Sequence, residues 1–261
     1  MTEADWGRSK GPVRMLRFLS SAGKANDRKC RLFACACARR IWGRFPAEAN
    51  RDLVVAVEEH PDRAFDDADL YSAIRASSAV EQECSGEPAY WVAKYLGRGF
   101  YKMTAAESAV EVATRVACLV VDEDDPVPEV DLNDEAAFIN SLMNSLVPPP
   151  GQEPPAPPGL QAEGEAMAGL LRCVVGNPFV PTPVIVSSLL TWSDGLVLKL
   201  ARAAYDDRHL PAGTLDEARL LVLADALEEA GCTDEAVLSH LRSDGPHVRG
   251  CWVLDLVLGK E

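Results

Sequence analysis

At 261 residues with 48% hydrophobic side chains, the chain can fill one large core or two modest ones, which excludes disorder throughout. The net charge of −14 sets the summed field against nucleic acid as a partner of the whole chain. "MTEADWGRSK" has no apolar run behind it, and no window of about 18 uninterrupted apolar residues follows. A membrane partner is therefore not expected, and the expected location is the cytoplasm.

The pattern is helical almost from end to end. "GPVRMLRFLSSAG" places Pro12 in a first turn and Gly23 just past a last one, which predicts a short helix. Asn26 or Asp27 then caps a helix reaching about Gly43. Further helices are expected near 47–59, 67–84, 88–96, 105–121 and 134–146, with Thr104 and Glu107 forming a capping box. Residues 148–158 read "PPPGQEPPAPP", seven prolines in eleven. Proline fixes φ and lacks the amide donor, so this segment is expected to be an extended linker or exposed loop, with a proline-recognition ligand as an alternative. A helix over Gly159–Val175 follows, then a turn-rich crossing, "GNPFVPTPVIV". Ser193 or Asp194 caps a helix to about Tyr205. Thr214 with Glu217 suggests another capping box, opening a helix that stops at Gly231. "TDEAVLSHLRS" fits one more, and the apolar "HVRGCWVLDLVLG" should fold back into the core. No strand is predicted.

The expected fold is all-α, an irregular multi-helix bundle. Its parts are residues 1–147, a proline-rich segment at 148–158, and residues 159–261. Residues 1–45 carry 11 Lys or Arg against 3 Asp or Glu, leaving a net of −22 on the rest. Docking of these basic helices on acidic helices of the same chain is the first expectation. An anionic or nucleic-acid partner for residues 1–45 is the alternative.

"DRKCRLFACACARRIW" near the start, with "LADALEEAGC" and "HVRGCWVLDLVLGKE" at the end, resembles a widely duplicated family of uncharacterised bacterial helical proteins. "LVLADALEEAGCTDEAVLSHLR" also resembles the bacterial repeat-companion domain, with Ala226 where that pattern has tryptophan. Both resemblances imply a cytosolic helical protein. Neither family brings an established activity, so no catalytic residue carries over.

Eight cysteines, at 30, 35, 37, 84, 118, 173, 232 and 251, sit mostly inside apolar helical patterns, as reduced buried thiols would. On a helix Cys30, Phe33, Cys37 and Ile41 share one stripe, while Cys35 falls roughly opposite Cys37. Packed thiols beneath a basic surface of Arg31, Arg39 and Arg40 are expected, with a reactive Cys35 as the alternative. Cys232, His240, His247 and Cys251 supply the two thiolates and two imidazoles that a zinc tetrahedron accepts, yet their spacing matches no common finger. Packed and half-exposed side chains are the competing account. For catalysis, only His60, His209, His240 and His247 could serve as an imidazole base, and no nucleophile motif accompanies them. "YDDRH" at 205–209 reads as a solvated helix end and "DEDD" at 122–125 as an acidic loop. In "YWVAKYLGRGFY", Tyr90, Trp91, Tyr95, Phe100 and Tyr101 alternate with Lys94, Arg98 and Lys102, as packed rings beneath snorkelling cations or an interface would. No catalytic, cofactor or metal residue is assigned, and the function expected is a protein-interaction or scaffold module with another protein as partner. A metal-dependent or thiol enzyme using Cys232, His240, His247 and Cys251 is the alternative.

Overall fold

A computed structural model describes residues 1–63, 67–100, 102–120 and 158–260. Among these residues are thirteen α-helices and one pair of two-residue strands, the all-α class expected from the sequence. None of the described helices is long and apolar enough to cross a membrane. The helix expected at 134–146, the acidic run 122–125, Tyr101 and the proline-rich segment up to 157 lie outside the described residues. The chain divides into two compact units, Met1–Ala168 and Gly169–Glu261.

The first unit holds α1 (Glu3–Arg8), α2 (Pro12–Ser21), α3 (Asp27–Arg39), a 3₁₀ turn (Trp42–Arg44), α4 (Glu48–Glu59), α5 (Ala68–Ala79), α6 (Glu81–Cys84), α7 (Pro88–Arg98) and α8 (Ala105–Val120). It also holds the part of α9 (Pro158–Val175) up to Ala168. Helix α3 begins where Asn26 accepts from the Lys29 amide at 3.0 Å. It packs on α4, α7 and α8. The small stripe Ala105, Ala109, Ala113 and Ala117 of α8 is buried, as close helix packing requires. The Thr104–Glu107 box forms as read, the Thr104 amide donating to Glu107 at 2.8 Å and the Glu107 amide to Thr104 at 3.2 Å.

Helix α3 differs from its expected picture in two ways. Cys35 is as buried as Cys30 and Cys37, because a neighbouring helix covers the second side too: its thiol donates to the Val54 carbonyl of α4 at 3.7 Å. Arg39 is not a surface cation. It is buried and forks onto Glu58, Nε to Oε1 at 2.9 Å and Nη2 to Oε2 at 2.6 Å. Arg40 makes a similar fork onto Glu163 of α9, at 2.5 and 2.6 Å, and Lys10 pairs with Glu165 on the same helix. Within this unit, N-terminal cations therefore do meet acidic residues of a later helix.

The second unit starts with the remainder of α9 and adds α10 (Ser187–Asp206), strands β1 (Arg208–His209) and β2 (Thr214–Leu215), α11 (Glu217–Glu229), α12 (Glu235–Leu241) and α13 (Trp252–Leu258). Helices α10 and α11 pack together, with α12 against α11 and α13 against α10. Val197, Ala201, Leu220, Leu223, Leu227, Leu238, Leu241, Val253, Leu254 and Val257 form its interior, so the C-terminal apolar stretch folds back as expected.

Two expected caps are corrected. Thr214 does not open α11; it pairs with His209 in the small ladder, and Asp216 caps the helix by accepting from the Arg219 amide at 3.0 Å. Ser193 and Asp194 do stand where a helix begins, but with Gly195 they form a left-handed stretch, φ +49°, +56° and +73°, in place of the extended geometry of a cap, and a further helical segment precedes the break in α10. The "YDDRH" helix end is also corrected in part, since α10 stops at Asp206 and Arg208–His209 enter the ladder.

Candidate metal centre

Four donors from three elements converge in the second unit. Helix α9 supplies Cys173, the last turn of α12 supplies His240, the loop before α13 supplies His247, and Cys251 stands at the N-cap of α13. One ligand atom from each lies within 4.8 Å of all the others. Cys173 Sγ is 3.9 Å from His247 Nδ1, and His240 Nε2 is 3.3 Å from Cys251 Sγ. A tetrahedron with zinc–sulfur bonds near 2.3 Å and zinc–nitrogen bonds near 2.0 Å has edges of roughly 3.3–3.8 Å, so the two spacings just given lie near those of an S₂N₂ cage, and an ion would draw the wider pairs, up to 4.8 Å apart, inward. Cys173, His247 and Cys251 are buried and His240 is half-buried. This is the one convergence of three or more His, Cys, Asp or Glu donors among the described residues.

The loop is held to its neighbours by the backbone. Thr214 bridges Val248, and the Leu215 amide donates to the His247 carbonyl at 2.9 Å, fixing residues 247 and 248 against β2. The Cys251 amide donates to the Val248 carbonyl at 3.0 Å, which turns the chain into α13. His247 Nε2 lies 3.1 Å from the Ser243 carbonyl oxygen. A carbonyl can only accept, so this bond assigns the proton to Nε2 and leaves the Nδ1 lone pair facing the cysteines. Metal-bound imidazoles ordinarily have such an outer partner, which fixes the tautomer and ring orientation.

The electrostatics follow from the crowding. Burial pushes the Cys251 thiol up, but hydrogen bonds from Cys173, His240 and His247 outweigh it and hold the thiol well below its ordinary value. Burial pulls His247 down, while Cys251 and the Ser243 carbonyl raise it to a net upward shift. The site thus favours a thiolate with positive charge beside it. A divalent cation supplies that charge and takes all four lone pairs at once.

The structure corrects one member of the sequence set. His240, His247 and Cys251 come together, but Cys232 does not join them. It follows Gly231, whose φ of +100° ends α11, and its amide returns to the Leu227 carbonyl at 2.9 Å while its side chain is buried at that helix end. Cys173 takes the fourth place from 74 residues before His247. It sits in "LLRCVVG", which reads as any apolar helix. The outer partner Ser243 carries no sequence signal either, because a backbone carbonyl holds the ring.

Elsewhere the candidates resolve into packing. Tyr90 and Tyr95 are buried, and Lys94 lies 4.5 Å above Trp91 while Arg98 lies 4.8 Å above Tyr95, so these cations cover rings of their own unit. Arg28 pairs with Asp62 at 3.1 Å and Arg31 donates to the Pro61 carbonyl at 2.8 Å, so several basic side chains of residues 1–45 have internal partners. Cys30 and Cys118 are pushed up to about 12 by burial, which opposes thiolate formation. The chain matches no family model, no curated protein and no solved structure.

Proposed function

We propose that the second unit binds one zinc ion through Cys173 Sγ, His240 Nε2, His247 Nδ1 and Cys251 Sγ, and that the ion has a structural role. The observation that carries this reading is the convergence of two sulfurs and two imidazole nitrogens within 4.8 Å. A catalytic zinc keeps one position for water or substrate; here the protein offers four ligands, the number of a closed structural site. The ion would neutralise two thiolates in an apolar interior and tie α9, α12 and the loop before α13 to one point. Elemental analysis of the purified full chain tests the assignment. One zinc per chain is expected in the wild type and in Cys232→Ser, and close to none in Cys251→Ser or His247→Ala. Stoichiometric metal in all of these variants, or none in the wild type, would contradict it.

A non-catalytic interaction role is the second reading, and surface exposure favours it. Of the large hydrophobic side chains exposed among the described residues, all but Tyr71 belong to the second unit, with Val184 83% exposed and Leu210 67%. Cross-linking in the host should recover partners from the wild type that a Leu210→Asp, Val222→Asp double variant loses. An identical set from both would sink this reading.

A further inference from the structure

Helix α9 carries Gly169 and Cys173, four residues apart and so on one face, and Gly176 stands just past its last residue, Val175. The two glycines stand where the chain at this end of the helix is approached by residues 246–252, the segment that bears His247 and Cys251. A Cβ added at Gly169 would lie 3.2 Å from Pro246 Cδ and 3.5 Å from its Cγ. One added at Gly176 would lie 3.1–3.3 Å from three atoms of the Trp252 indole. Those two neighbours are adjacent to donors: Pro246 precedes His247, and Trp252 follows Cys251. The Trp252 ring also lies 5.4 Å from the His240 ring, centroid to centroid. Each glycine therefore backs a residue that carries or touches a ligand, and Cys173 emerges between them.

We propose that Gly169 and Gly176 are positioning residues of the metal site, and that the ion latches the end of α9 onto residues 246–252. The proposal rests on the zinc reading. A cysteine side chain is short, so its sulfur reaches the other donors only if the helix backbone comes close, and side chains at 169 and 176 would hold it away. Metal–ligand distances tolerate about 0.2 Å, so a displacement of a few tenths of an ångström at this seam is felt at the ion. Gly176 has a second constraint, a φ of +74°, which side chains other than glycine rarely adopt. Gly169 has no such conformational demand and gives the cleaner test.

Cobalt(II) titration of the full chain separates the possibilities. The wild type should show tetrahedral d–d bands with thiolate charge-transfer intensity from two sulfurs. Gly169→Val should lose about half of that intensity, as Cys173→Ser does, and bind cobalt at least about tenfold more weakly, the scale of a lost outer-shell contact. Gly169→Ala should recover both sulfurs with a loss of about threefold. Hydrogen exchange supplies a second readout: chelation should raise exchange at 169–176 and 246–252 more than at 197–205 and 220–227. Wild-type spectrum and affinity in Gly169→Val would overturn the positioning role. Should that variant fail to fold, Gly169→Ala at full wild-type affinity overturns it instead. Unchanged exchange at 169–176 after chelation would overturn the latch. A wild-type chain with no cobalt spectrum would overturn the zinc reading itself.

Discussion

Cys37 in the first unit and Cys251 in the second are both fully buried, yet their thiols are driven in opposite directions. Around Cys37, burial and then the charge of Glu163 raise the thiol well above its ordinary value, and it packs as a small hydrophobe. Around Cys251, a second thiol and two imidazoles reverse the effect of burial. The lesson is that burial of a cysteine says little about its chemistry. The neighbours that share the buried space decide it.

The contrast can be broken most forcefully at the metal. If the second unit owes its organisation to zinc, chelation removes a binding free energy on the order of 10 kcal/mol, and the unfolding midpoint of residues 169–261 falls while that of the first unit does not move. Equal loss in both units, followed by unit-resolved hydrogen exchange, would refute that separation. The first unit should instead break at its buried charge. Arg39→Met removes the guanidinium that forks onto Glu58 in a site where both side chains are 3% exposed, and about 3–5 kcal/mol of stability should be lost in urea titrations. A loss below about 1 kcal/mol would mean that the pair is not sealed from water.

High pH sharpens the difference between the two kinds of thiol. Cys30 is pushed up to about 12, so the folded state keeps its proton while the unfolded chain releases it above about pH 9. This contribution is intact below pH 9 and declines as the pH rises toward 12. By pH 11 about 3 kcal/mol of it should be lost, seen as a shallower loss of stability in Cys30→Ala than in the wild type. Parallel pH profiles would count against a protonated buried thiol. The smallest expected effect is at the start of α3, where Asn26→Ala removes an exposed cap and should cost about 1 kcal/mol without altering metal content.

Much of the fold was legible because its signals are local. Pro12, Asn26, the Thr104–Glu107 box and Gly231 mark helix ends by backbone chemistry that involves only a few residues, and the structure places ends there. The misassigned caps show where local reasoning is outvoted. Thr214 has the spacing of a cap, but pairing with His209 and Val248 recruits it into a ladder, and Asp216 two residues on takes the role. The metal site was legible in three parts of four, since His240, His247 and Cys251 lie close in sequence. Cys173 was not, because its membership depends on how α9 approaches a segment far along the chain, and that approach is set by two glycines that resemble ordinary helix breakers. Arg39 was missed for a related reason: its charge suggests water, and only the arrival of Glu58 from α4 makes an interior site possible.

Zinc K-edge absorption on the purified full chain examines the coordination most directly. Two sulfurs near 2.3 Å and two nitrogens near 2.0 Å are expected, with one sulfur lost in Cys173→Ser and both kept in Cys232→Ser. A shell without sulfur, or one that Cys232→Ser changes and Cys173→Ser does not, would contradict the assignment.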